Sequence, residues 1–170
     1  MLRLWQDVDP DQNAVDLVLA GQLPTSGWRH VFDGYDDQDR QVSLIHEDTT
    51  VLRQMAVFDL VCNNADRKGG HVLAMPDGHR FGVDHGLTFH VERKLRTVLW
   101  GWLGEPLTEL ELAGIERVRS GLFSDLGDSL TGLLTQAEIV ALAERCTVLL
   151  AHPEFPSPRG EMPAIPWPPF

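Results

Sequence analysis

Two carboxylates, Asp66 and Asp84, stand eighteen positions apart inside the stretch NNADRKGGHVLAMPDGHRFGVDHGLTFH, residues 63–90. The stretch holds three acidic residues, four histidines and five glycines. A pair of carboxylates that meet across a cleft can hold a divalent cation or draw a proton from a hydroxyl. Taken alone, Asp66 also suits a simple turn cap. Asp84 ends the apolar run FGV and is followed by His85 and Gly86, a less usual place for a purely structural acid. His79 falls in a turn, and His85 and His90 fall in loops. Only His71 stands where the arrangement itself suggests a role.

The elements around this stretch must bring its ends together. HVLAMPDGHRFGVDHG reads as a β-hairpin, with His71–Met75 leading out, a Pro-Asp-Gly turn at 76–78, and Arg80–Val83 returning. NNADRKGG is then an irregular loop whose paired glycines permit unusual backbone. Upstream, Val51, Leu52, Met55, Val57, Phe58 and Val61 give a broad helical apolar face with Asp48 or Thr49 as N-cap. Downstream, VERKLRTVLWGWLG predicts a helix ending near Gly104. Two capping boxes, Thr108 with Glu111 and Thr135 with Glu138, open two further helices. Nearer the N-terminus, MLRLWQDV predicts a strand and DPDQNAVDLVLAGQLP a short helix stopping near Gly21. FDGYDDQDRQ predicts a polar loop. The proline-rich tail HPEFPSPRGEMPAIPWPPF is expected to run extended, docking Ile165, Trp167 and Phe170 on the domain.

Composition narrows the classes. At 170 residues and 43% apolar content, the chain has enough material for one ordinary core. No stretch approaches the roughly 20 apolar residues of a membrane helix, and the N-terminal residues lack signal-peptide character, so a cytoplasmic location is expected. Cys62 and Cys146 lie in helical apolar patterns and read as buried, reduced thiols. The formal net charge of −11, with no basic run longer than a pair, argues against nucleic acid and against an anionic membrane surface as partners.

The order helix, D-x-x-x-x-(N/H), hairpin, D-x-G is similar to the catalytic half of protein-kinase-like folds. More closely, DLVCNNADRKGGHVL and GVDHGLTFH resemble the catalytic and metal-binding motifs of type II phosphatidylinositol 4-kinases and their bacterial relatives. These share an N-x-D-R core and a D-x-G-L-x-F continuation. With KLRTVLWGW and PAIPWPPF added, the chain resembles the C-terminal two-thirds of an actinobacterial phosphatidylinositol 3- and 4-kinase-like family.

The resemblance implies an α+β, mostly helical fold, the C-terminal lobe of a protein-kinase-like architecture with a short catalytic β-hairpin. Residues 1–152 would form that lobe, beginning at the hinge strand, and 153–170 a tail packed on it. Asp66 becomes the catalytic-loop acid that orients or deprotonates an acceptor hydroxyl. Arg67 and Lys68 would contact phosphate oxygens, Asn64 would orient the loop, and Leu4 and Trp5 would line the adenine pocket. Asp84 would hold the Mg²⁺ or Mn²⁺ that bridges the phosphates of ATP. His71 takes the place where kinases have an asparagine ligand, a departure that favours Mn²⁺ if the imidazole binds metal.

Kinase-like enzymes also cover the nucleotide with a small lobe bearing a phosphate-pairing lysine, and nothing of that kind precedes Met1 in this sequence. The chain alone is therefore expected to have negligible kinase activity. Two other readings compete. One is a metal-dependent hydrolase built from Asp66, His71, Asp84 and His85, although no H-x-x-x-H or H-E-x-x-H pair supports it. The other is a non-catalytic interaction module.

Overall fold

The computed structural model describes residues 13–159 and 163–170. Three antiparallel strands come first, β1 (Val15–Leu19), β2 (Trp28–Tyr35) and β3 (Gln41–Glu47), in the spatial order β1-β3-β2. Helix α1 (Thr50–Cys62) follows. A single 3₁₀ turn, Gly69–His71, then leads into the hairpin of β4 (Val72–Ala74) and β5 (Arg80–Gly82). Helices α2 (Glu109–Gly121), α3 (Asp125–Thr131) and α4 (Gln136–Ala151) are the last elements among the described residues. Among the described residues the architecture is α+β, with four helices and two small sheets.

The three-stranded sheet replaces two expectations. VDLVL is β1 and not a helix. Its five residues are too few to sustain a helix, and pairing Val15 through Leu19 with His46 through Val42 satisfies its backbone. The acidic run after Tyr35 is a hairpin tip between two strands and not an open loop. Asp36 Oδ1 accepts from the Gln38 and Arg40 N–H groups, and Asp39 adopts φ 56°. The central strand β3 buries Val42 through His46, so it reads as one continuous hidden run without alternation.

Helix ends follow local chemistry. Thr49 caps α1 by accepting from the Leu52 N–H, and both capping boxes, Thr108–Glu111 and Thr135–Glu138, are formed in both directions. The expected helix over 91–104 is absent. The Arg96 N–H bonds to the Asn64 carbonyl, the Val98 N–H to the Arg67 carbonyl and the Thr97 N–H to the Ala164 carbonyl, so these donors leave no intrahelical ladder. Its apolar residues Val98, Leu99 and Trp102 enter the core from irregular backbone.

That core joins Leu52, Ala56 and Leu60 of α1 to Ile115 of α2 and Leu142 and Cys146 of α4. Cys62 and Cys146 are both buried and free. In the tail, Ile165 packs against the core as expected. Trp167 is 78% exposed and does not dock, while Phe170 is half exposed over Gly69. Among the described residues, no helix is long and apolar enough to cross a membrane.

Candidate functional site

The last turn of α1 delivers the chain into the site. Asn63 ends the helix in the left-handed region, φ 58°, and its amide donates to the His90 and Glu92 carbonyls while its Oδ1 accepts from the Lys94 N–H. Asn64, fully buried, accepts the Asp66 N–H on Oδ1 at 3.0 Å and donates to Asp59 Oδ1 at 2.9 Å. Asn64 therefore shapes the loop.

Arg67 does not reach out to solvent or to a ligand. Its side chain is wholly buried and forked onto the equally buried Asp59 of α1, with Nη2–Oδ1 at 2.9 Å and Nε–Oδ2 at 2.9 Å. The remaining Nη1 donates to the Val83 carbonyl at 3.0 Å and to the His71 carbonyl at 3.3 Å. The expected phosphate contact is thus corrected to a positioning role. A guanidinium offers five donors in a fixed plane, and here that plane ties the residue before Asp84 to His71. No motif in the sequence singles out Asp59. Its signal was an acid among Ala56, Leu60 and Val61, all buried on the same helix.

The hairpin brings the two candidate ligands together. The Val83 N–H donates to the His71 carbonyl at its base, and the Met75 N–H bonds to the His79 carbonyl at its tip, where Gly78 adopts φ 87°. His71 Nε2 then lies 3.6 Å from Asp84 Oδ2, with the imidazole mostly buried and the carboxylate exposed. His71 Nδ1 is 2.9 Å from the Asp66 backbone carbonyl. That oxygen can only accept, so Nδ1 holds the proton. Asp84 adopts φ 53°, left-handed backbone that asparagine and aspartate tolerate best among residues with a Cβ. An ion pair from Arg80 to Glu47, 2.7 Å at its shortest, anchors the hairpin to β3.

The half-buried Asp66 carboxylate and the Lys68 ammonium have no hydrogen-bond or ion-pair partner among the described residues. Asp66 joins the His71–Asp84 pair through its carbonyl, not through a direct contact of its carboxylate with Asp84. His85 lies edge-on to Phe58, ring centroids 5.3 Å apart, and burial followed by the Arg67 charge lowers its pKa. Burial pushes the Cys62 thiol up to about 12, which removes it as a nucleophile at neutral pH. Among the described residues, no three His, Cys, Asp or Glu side chains converge as a preformed metal cage. Leu4 and Trp5 lie outside the described residues.

No protein-family model matches this sequence, and no solved structure matches it. The chain is similar to Protein Rv2133c of Mycobacterium tuberculosis, with 45% identity over 179 residues. That match takes in all of this chain and 64% of the mycobacterial protein, so the chain spans less than two thirds of that relative's length.

Proposed function

We propose that this chain carries the catalytic lobe of an ATP-dependent, kinase-like phosphotransferase of the phosphatidylinositol 3- and 4-kinase-like type, acting on a hydroxyl acceptor. The observation that supports this most is the His71–Asp84 pair at 3.6 Å, locked to the backbone of an Asp66 whose carboxylate is unpartnered among the described residues.

The donor set fits a divalent metal. With a proton on Nδ1, the His71 ring turns Nε2 toward the Asp84 carboxylate. At 3.6 Å, Nε2 and a carboxylate oxygen are close enough to bind one cation together. One imidazole and one carboxylate suit Mn²⁺ better than Mg²⁺, and leave most coordination positions for phosphate oxygens and water. Bound there, the metal would supply charge neutralisation across the nucleotide phosphates.

The chain's own residues would do the rest. Asp66 accepts the proton of the acceptor hydroxyl on its free carboxylate, and Lys68 places a positive charge at the phosphate oxygens. Arg67 touches neither substrate nor metal. It holds the His71 and Val83 carbonyls, and through them the spacing of the two ligands. A hydrolase centre drawing on His85 as well gains no such support, because that ring is stacked edge-on against Phe58.

The test is Mn²⁺ binding to the 170-residue chain, followed by water-proton relaxation and then by calorimetry with ATP added. Saturable Mn²⁺ binding is expected, strengthened by ATP and weakened at least about tenfold, or ~1.4 kcal/mol, by Asp84→Asn and by His71→Ala. Aspartate and asparagine share the left-handed preference of position 84, so the Asp84→Asn chain keeps its fold. Wild-type and Asp84→Asn chains that bind Mn²⁺ equally, or not at all, would sink the proposal.

A further inference from the structure

The C-terminal segment does more than cover apolar surface. The Gly69 N–H donates to the Pro169 carbonyl at 2.7 Å, and the Phe170 ring rests directly on Gly69. A Cβ built on Gly69 would lie 2.5 Å from Phe170 Cε1 and 3.2 Å from Val15 Cβ, so the glycine is gripped between the tail and β1. Gly69 follows Lys68 and opens the 3₁₀ turn that carries His71.

The same segment also holds the ribbon that runs beside the loop. The Thr97 N–H and the Trp100 indole both donate to the Ala164 carbonyl at 3.0 Å. Arg96 donates from Nε to the Pro163 carbonyl at 3.1 Å and from Nη2 to the Ile165 carbonyl at 3.4 Å. That ribbon is in turn bonded to the loop, from the Arg96 N–H to the Asn64 carbonyl and from the Arg67 N–H to the Arg96 carbonyl. The tail therefore grips both the loop and the ribbon that supports it. Pro166 and Pro169 are buried while Trp167 is exposed, so the backbone and the prolines, not the tryptophan, make the attachment.

We propose that residues 163–170 are a positioning element of the 66–71 loop, with Phe170 and the Pro169 carbonyl fixing Gly69 and thereby the placement of Lys68 and His71. This deepens the reading of His71 and Asp84 as a metal pair and rests on it for its effect on metal binding. Its effect on the loop stands apart from that reading. Proline lowers the entropy the tail loses on docking, which suits a segment that must hold a loop without a large interface.

The experiment compares wild type with Phe170→Ala, Phe170→Leu, Gly69→Ala and the double variant Gly69→Ala/Phe170→Ala. Mn²⁺ affinity is measured together with amide exchange and chemical shifts at residues 66–71, using α4 amides as the reference for global stability. Phe170→Ala and Gly69→Ala are each expected to weaken Mn²⁺ binding about tenfold, and Phe170→Leu to restore most of it. The double variant should be no weaker than either single one, because removing the ring makes room for the new methyl. The Gly69 and His71 amides should lose protection in Phe170→Ala while α4 exchanges as in wild type.

If wild type binds no Mn²⁺, the metal reading fails and the exchange data judge the tail alone. Loss of protection and shifts confined to 66–71 would then still support positioning. Unchanged protection of the Gly69 amide in Phe170→Ala, or losses that α4 shares equally, would overturn it.

Discussion

Removing the Arg67 guanidinium should cost more stability than any other single side-chain truncation near the site. Both Arg67 and Asp59 are 0% exposed, and they share three hydrogen bonds of 2.9–3.2 Å. Arg67→Met keeps the bulk and removes the charge, leaving the Asp59 carboxylate buried with the Asn64 amide as its remaining side-chain partner. Breaking a buried pair from one side costs about 3–5 kcal/mol, because the surviving charge is left uncompensated. The His71 and Val83 carbonyls also lose a donor, which moves the value toward the upper end. A domain of this size has roughly 5–15 kcal/mol in total, so the variant should be close to unfolding at 37 °C. Urea denaturation at 15 °C, read from the emission of buried Trp100 and Trp102, gives the difference in midpoint. The double variant Asp59→Leu/Arg67→Met should recover about 2–3 kcal/mol relative to the sum of the two singles. A loss below about 1 kcal/mol for Arg67→Met, or strict additivity in the double variant, would refute the claim that the pair locks the loop.

His46 makes a pH-dependent contribution. Its Nδ1 bonds to the Glu47 carbonyl at 2.8 Å, its Nε2 accepts the Gly101 N–H at 3.0 Å, and its ring stacks on Trp102, so the fold needs it neutral. Burial lowers its pKa from 6.5 to about 4. The unfolded chain therefore binds the proton first, so the stabilisation is complete above about pH 6.5 and is lost as pH falls toward 4, by about 3 kcal/mol in all. His46→Gln should flatten the melting temperature between pH 7 and 4.5, and an unchanged slope would show that other groups set it. Gly101→Ala should destabilise by about 1–3 kcal/mol in urea, because its Cβ would lie within 2.5 Å of His46 Nε2. Wild-type stability in that variant would mean the Trp102 corner is less tightly packed than described.

Features set within four residues were legible in the sequence. The Thr108–Glu111 and Thr135–Glu138 boxes, the Thr49 cap and the Pro-Asp-Gly hairpin turn each depend on side chains bonding to their own backbone, so the pattern and the structure coincide. Features set by distant partners were not. β1 becomes a strand because β3 satisfies its backbone, and that partner lies more than twenty residues away. The 91–104 segment has helical spacing, yet it stays irregular because the Asn63–Arg67 loop and the Ala164 carbonyl claim its donors. Local propensity is a fraction of a kcal/mol per residue, and several such tertiary hydrogen bonds outweigh it.

Arg67 shows where the same limit falls on the candidate site. Motif spacing brings Arg67 and Lys68 to adjacent positions, and from spacing alone both are cations near phosphate. Burial separates them. Arg67 faces Asp59 eight residues upstream on α1, an acid on a helix face shared with Ala56 and Leu60, and its charge is neutralised inside the protein. Lys68 is half-buried with no partner among the described residues, so under the proposed function it is the cation of this loop left to meet a phosphate. The sequence does carry the clue in retrospect, since an ionised acid in a buried helix face must have a cation within reach. Arg67 is the cation it meets, eight residues further along the chain. That pairing makes the arginine of the N-x-D-R core the brace that holds the His71 and Val83 carbonyls, and under the proposed function it leaves the loop's external chemistry to Asp66 and Lys68.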